Sequence, residues 1–261
     1  MEKTKKTFKK FLMVLSKPEL KILPGQIAFN LLMSFVPILL LLSFVAGIVI
    51  KNFNLLSIIE NNLPTVFGDI IRDLVNNTNY STLGVLIIFY VLLALNGPVA
   101  IIYASNELYN IKQPSFIKSR VKSLIMIFII ILLMLFMIFI PVFGDLLFKY
   151  LFGEVEVSSI VYKIVKWLLS FTFIFINIKL LYTMAPDKKI ESSKTTLGAL
   201  FTSFSWIIVT EVFAFYITNM AKYDVLYGNF ANILILLSWI YLLSYLFVLG
   251  MAININKYQN D

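Results

Sequence analysis

Residues 25–50 read GQIAFNLLMSFVPILLLLSFVAGIVI, a run without one charged side chain. As a helix it is long enough to cross roughly 30 Å of hydrocarbon, and a helix pairs its backbone N–H and C=O groups within the segment, where lipid cannot. The composition agrees, because 60% of the 261 residues are hydrophobic, 14% are charged and 24 are Phe. So apolar a chain has too little polar surface to enclose one water-soluble core. Six stretches have the length and apolarity of a span: Ile27–Ile50, Leu83–Ala104, Ser123–Gly144, Ile160–Tyr182, Thr196–Thr218 and Ala231–Asn254. The expected fold is all-α, a polytopic membrane protein of six transmembrane helices. A basic segment (1–24) precedes the membrane domain (25–256), and a short tail (257–261) follows it. The first apolar run is too long for a cleaved secretory signal and lacks a small-residue cleavage pattern, so the first span is expected to stay attached.

The formal net charge of +8 raises the question of nucleic acid, and the distribution of the basic residues answers it. Seven Lys precede the first span, four Lys or Arg lie between Ser105 and Lys122, four Lys lie between Lys179 and Thr195, and Lys257 is in the tail. The alternate loops hold only Lys51, Arg72, Lys149 and Lys222, with Lys163 and Lys166 at the start of the fourth span. Such asymmetry is the positive-inside pattern and is expected to place both termini in the cytoplasm. The basic N-terminal segment is read as a topology signal before it is read as a site for anionic headgroups. No nucleic-acid partner is expected.

The chain has no Cys and no His. Disulfides, thiol catalysis, Cys- or His-ligated zinc and a Ser-His-Asp triad are excluded. No phosphate-cradling P-loop appears either. The loops between spans leave no room for a soluble catalytic domain, so neither an enzyme nor a cofactor is expected. Residues 57–77, SIIENNLPTVFGDIIRDLVNN, place Ile59, Leu63, Val66, Phe67, Ile70, Ile71 and Leu74 near helical spacing, interrupted by Pro64 and Gly68. This amphipathic stretch between the first and second spans is expected to lie along the outer surface.

The spans carry polar side chains at helical spacing. Gln26, Asn30, Ser34 and Pro37 share one face of the first span. In the second, Asn96, Tyr103 and Asn106 fall close to one face and Gly97-Pro98 interrupts the ladder. The fifth carries Ser203, Trp206 and Thr210 with Glu211 beside them, and the sixth carries Ser244 and Asn254, with Gly250 suited to a close helix contact. Glu211 is expected to be neutral, to lie near the outer boundary, or to pair with Lys163 or Lys166. Two readings compete for these residues: hydrogen-bonded fastening between helices, at about 0.6–2 kcal/mol each, or the lining of a polar path.

The sequence resembles the BrkB/YihY family of bacterial inner-membrane proteins, some of which were once labelled ribonuclease BN. The resemblance rests on AFNLLMSFVPILLLL (28–42), on Asn106-Glu-Leu-Tyr109, and on Pro186, Gly198, Trp206, Tyr216, Tyr227-Gly228, Trp239, Gly250 and Asn254 in that order. The family commonly ends its last motif Gly-Ala-Glu-Leu-Asn, whereas Ala252 stands here at the glutamate position, so no role of that glutamate carries over. The resemblance implies a six-helix inner-membrane protein and points toward envelope transport or lipid handling.

The ribonuclease label does not fit the residues. A metallo-hydrolase needs a metal cluster, and the inner loops offer no His and only scattered Glu107, Asp187 and Glu191. The functional expectation is a transporter or flippase-like protein handling an amphipathic or lipid envelope substrate. Gln26, Asn30, Ser34 and Pro37 would line its path, faced by Asn96, Tyr103, Asn106, Ser203, Trp206, Thr210, Glu211, Ser244 and Asn254. The alternative is a non-enzymatic scaffold for envelope assembly. Membrane lipids are the expected partners, and homo-oligomerisation is left open.

Overall fold

A computed structural model describes residues 18–52, 80–152, 159–219 and 231–258. They form α1 (Glu19–Asn52), α2 (Tyr80–Ala94), α3 (Asn96–Leu108), α4 (Phe116–Phe152), α5 (Ser159–Met184), α6 (Ser192–Asn219) and α7 (Ala231–Tyr258), with no strand among the described residues. Among the described residues five segments are long and apolar enough to cross a membrane: Leu20–Leu41, Ile87–Leu108, Trp167–Met184, Ser192–Ile217 and Ile233–Ile255. The remaining expected span, Ser123–Gly144, falls inside α4, whose side chains are described only in part. The amphipathic stretch at 57–77 lies outside the described residues, as do the N-terminal residues 1–17.

The early start of the first helix and the break in the second span, the latter expected at Gly97-Pro98, each have a local reason. The first helix begins at Glu19, because Leu20 and Leu23 are buried and give its opening turns a core-facing side despite their polar neighbours. The second span breaks at Leu95, just before Gly97-Pro98. Proline has no N–H to offer the carbonyl four residues back, and its ring crowds that carbonyl, so the ladder opens over this turn.

The chain divides into two compact units, Leu32–Gly97 on the one hand and Met1–Leu31 with Pro98–Asp261 on the other. In the smaller unit the opened ladder is closed by a side chain. The Gly97 N–H donates to Ser34 Oγ at 2.7 Å, and Ser34 Oγ donates to the Leu93 carbonyl at 3.3 Å. Gly97 and Leu93 are the two groups that a continuous helix would have joined directly. Ser34 is completely buried, so its hydroxyl stands in for the lost backbone bond.

In the larger unit α6 and α7 pack most extensively, with α5 against α6 and α4 against α5. Lipid tails are as apolar as leucine, so helices in a membrane associate through close packing and hydrogen bonds. Gly198 and Gly250 face each other here. A Cβ on Gly250 would meet Thr202 Oγ1, Tyr182 Oη and the Gly198 carbonyl, and one on Gly198 would meet the Gly250 carbonyl and the Asn254 amide. Around this crossing Tyr182, Trp206 and Phe247 form an aromatic core, with ring centroids 4.7 Å apart for Tyr182–Phe247 and 6.3 Å apart for Trp206–Phe247.

Replacing Gly250 with Ala should therefore overpack the crossing and cost about 1–3 kcal/mol, read as a lowered Tm of the detergent-solubilised protein. Gly25→Ala is the control. Its Cβ would meet only Tyr241 Cε2, at ordinary contact distance (3.9 Å), and the change should hold or raise Tm because it removes a helical glycine.

Candidate functional site

An open groove of about 460 Å³ lies where the first turns of α1 meet the end of α3. Pro18, Ile22, Leu23 and Gln26 line it from α1 and its approach, Tyr103 and Glu107 from α3, and Gln113 from the following loop. The local fold explains how Gln113 comes back to the helix it has just left. Asn110 adopts a left-handed backbone (φ 54°), with its N–H donating to the Glu107 carbonyl at 3.1 Å and the Ile111 N–H donating to the Asn106 carbonyl at 2.8 Å. This Schellman pairing satisfies the last carbonyls of α3 and reverses the chain. Gln113 Nε2 then donates to the Tyr103 carbonyl (3.1 Å) and, at 3.5 Å, faces Glu107 Oε2. The result is an amphipathic concavity, lined by apolar Ile22 and Leu23 together with two amides, a carboxylate and Tyr103.

Beside it, Asn106 is completely buried and fastens α3 to the α5–α6 loop. Its Oδ1 accepts the Asp187 N–H at 2.8 Å and its Nδ2 donates to Asp187 Oδ2 at 3.4 Å. Lys122 completes the latch from α4, its ammonium donating to the Ala185 carbonyl (2.7 Å), the Pro186 carbonyl (2.8 Å) and Asp187 Oδ1 (2.9 Å). A cation at the end of α5 also meets the negative end of that helix's dipole. Burial lowers the Lys122 pKa below the ordinary lysine value, against the pull of Asp187. For Asp187 burial pushes upward, but hydrogen bonding and charge from Lys122, then Lys118 and Asn106, outweigh it and hold the carboxyl below its ordinary value.

The expected site residues separate by what they touch. Gln26 and Tyr103 come together in the groove. Asn30 turns its amide back to the Gln26 carbonyl at 2.8 Å, Ser34 bridges the helix break, Pro37 is buried, and Asn96 opens α3 half-buried. Farther along, Ser203 Oγ donates to the Ala199 carbonyl (2.7 Å), Trp206 Nε1 to the Leu243 carbonyl (2.9 Å), and Thr210 Oγ1 accepts from Trp239 Nε1 at 3.4 Å. Asn254 Oδ1 accepts the Gly198 N–H at 2.7 Å, while the buried Ser244 hydroxyl has no hydrogen-bond partner among the described residues. Glu211 is exposed within the candidate span Ser192–Ile217, and the side chains of Lys163 and Lys166 lie outside the described residues. No group of three metal-ligating side chains occurs among the described residues.

Four contributors escaped the sequence reading. Tyr182 Oη donates to the Phe247 carbonyl (2.6 Å) and shares a hydrogen bond with Thr202 Oγ1 (2.7 Å), and Thr202 in turn reaches the Leu246 carbonyl (3.3 Å). Lys122 and Asp187 are the other two, visible in sequence only as one cation among several and one of the scattered acids. No spacing rule links residues this far apart in the chain.

The fold and these sites define a polytopic, all-helical membrane protein. The chain belongs to the Virulence factor BrkB family, whose model matches residues 14–260. Among its relatives is the "ribonuclease-like protein YfkH" of Bacillus subtilis, 29% identical over 239 residues that cover 88% of this chain and 87% of that one. Shorter matches include a "UPF0761 membrane protein" of Aeromonas salmonicida, 35% identical over 38% of this chain and 33% of the relative, and one of Photobacterium profundum, 40% identical over 28% and 23%. No solved structure matches.

The latch makes a pH prediction. Because the folded carboxyl of Asp187 titrates below the ordinary 3.8, the unfolded chain binds its proton more tightly, and the stability this residue contributes is complete above 3.8 and lost as pH falls through the lower folded value. Thermal unfolding in detergent across the acid range should show that loss in the wild type and a flatter acid limb in Asp187→Asn.

Proposed function

We propose that this protein is a transporter of flippase-like character that moves an amphipathic, lipid-class envelope substrate, with the groove of Gln26, Tyr103, Glu107 and Gln113 receiving the polar part. The observation that carries the reading is the groove's mixed lining of apolar and hydrogen-bonding side chains at one end of two apolar spans. Such a lining suits a molecule whose head and tail need different surroundings. The lysine distribution supports a topology with both termini in the cytoplasm, on which the groove opens at the cytoplasmic face, and the bacterial relatives support an inner-membrane setting. In this reading the protein is not an enzyme, and its energy comes from a gradient or from the substrate's own distribution. Membrane lipid is its partner.

A scaffold is the competing reading, favoured by the many span side chains that hydrogen-bond within the protein. Proteoliposomes separate the two. Fluorescent phospholipids and glycolipids should cross faster with wild-type protein than in protein-free vesicles. Gln26→Leu or Glu107→Gln should slow them by about five- to tenfold, the worth of one lost hydrogen bond, at unchanged Tm. No movement for any lipid, with or without a proton gradient, would contradict transport and leave the scaffold.

A further inference from the structure

On the outer surface of α5 the side chains at 167, 171, 175 and 179 fall at intervals of four, so they form one stripe along the helix. The rings of Trp167 and Phe171 lie 5.6 Å apart and nearly parallel (10°), and those of Phe171 and Phe175 lie 6.3 Å apart at 6°. Lys179 ends the ladder, with its ammonium 5.8 Å from the Phe175 ring centroid. Phe204 of α6 approaches Trp167 edge-on at 6.5 Å and widens the strip at its far end. Trp167 is 40% and Phe204 50% exposed, and Ile164, Leu168, Ile176 and Leu180 beside them are exposed as well. This is surface that meets the membrane.

Lys179 is the unusual member. It lies within the candidate span Trp167–Met184, is half-buried, and has no acidic partner among the described residues. A cation at such a depth is costly unless an anion or an aromatic face compensates it, and the Phe175 ring supplies only part of that compensation. The ladder's length is the second clue. Twelve residues at the helical rise run about 18 Å, close to the roughly 15 Å depth of one leaflet's hydrocarbon.

We infer that this stripe is a binding site for an anionic phospholipid. Its phosphate pairs with Lys179 in the leaflet where α5 ends, and an acyl chain lies along Phe175, Phe171 and Trp167. The flat rings present a continuous apolar track, and the lysine selects the headgroup charge. The site is separate from the groove of α1 and α3 and does not depend on transport.

The position of Trp167 gives the test its probe. Wild-type protein, Trp167→Phe and Lys179→Gln are reconstituted in vesicles of phosphatidylcholine containing chain-brominated phosphatidylglycerol or, separately, chain-brominated phosphatidylcholine, and tryptophan quenching is compared. The quenching absent in Trp167→Phe is that of Trp167. In the wild type that component should show about a fivefold apparent preference for the anionic lipid, the effect of one lysine near an anionic headgroup. Lys179→Gln should abolish the preference and Lys179→Arg should keep it, with circular dichroism confirming the fold of each. Equal quenching by the two lipids in the wild type, or a preference that survives Lys179→Gln, would overturn the inference.

Discussion

A helix that opens inside hydrocarbon leaves an N–H and a C=O that lipid cannot satisfy, and each such orphan costs several kcal/mol. At the break between α2 and α3 that pair is Gly97 and Leu93, and one hydroxyl, Ser34 Oγ, takes both. The same constraint governs the larger unit in another form. There the carbonyls of Leu243, Leu246 and Phe247 on α7 receive hydrogen bonds from Trp206, Thr202 and Tyr182. Glycine at 198 and 250 lets the two helices come close enough for those bonds to form.

Several of the polar residues consequently fall into two groups. Ser34, Ser203, Trp206 and Asn254 are buried, and each spends a hydrogen bond on the protein's own backbone. Gln26, Tyr103 and Glu107, with Gln113, surround an open concavity. The latch of Asn106, Asp187 and Lys122 joins these tasks, since it holds the end of α3 from which Tyr103 and Glu107 project. A fixed α3 terminus keeps Tyr103 and Glu107 in place at the groove.

Much of this was legible in the sequence. Charge-free runs located the spans because length and apolarity are local properties, and Gly97-Pro98 marked the interruption because proline's missing donor is local too. The face formed by Gln26, Asn30, Ser34 and Pro37 was also readable, but a helical period says which side chains share a face and nothing about what meets them. One turn after another, that face exposes Gln26, turns Asn30 back on its own helix and buries Ser34. The contact of Asn106 with Asp187 spans 81 residues and that of Tyr182 with Phe247 spans 65, distances over which one sequence carries no pairing signal. The family resemblance indicated Asn106 and Pro186 as motif residues, yet gave no reason for Asp187 to matter until the half-buried Lys122 beside it was seen.

The absence of cysteine makes the division into fasteners and groove residues directly measurable. Single cysteines introduced at positions 26, 34, 107 and 203 and exposed to a membrane-impermeant thiol reagent, from each side of the membrane, report which positions water reaches. Rapid labelling is expected at 26 and 107 from one side only, and none at 34 and 203 until the protein is unfolded. Labelling of all four in the native protein would contradict this division, because the buried hydroxyls would then line a water-filled path instead of closing the backbone's open bonds.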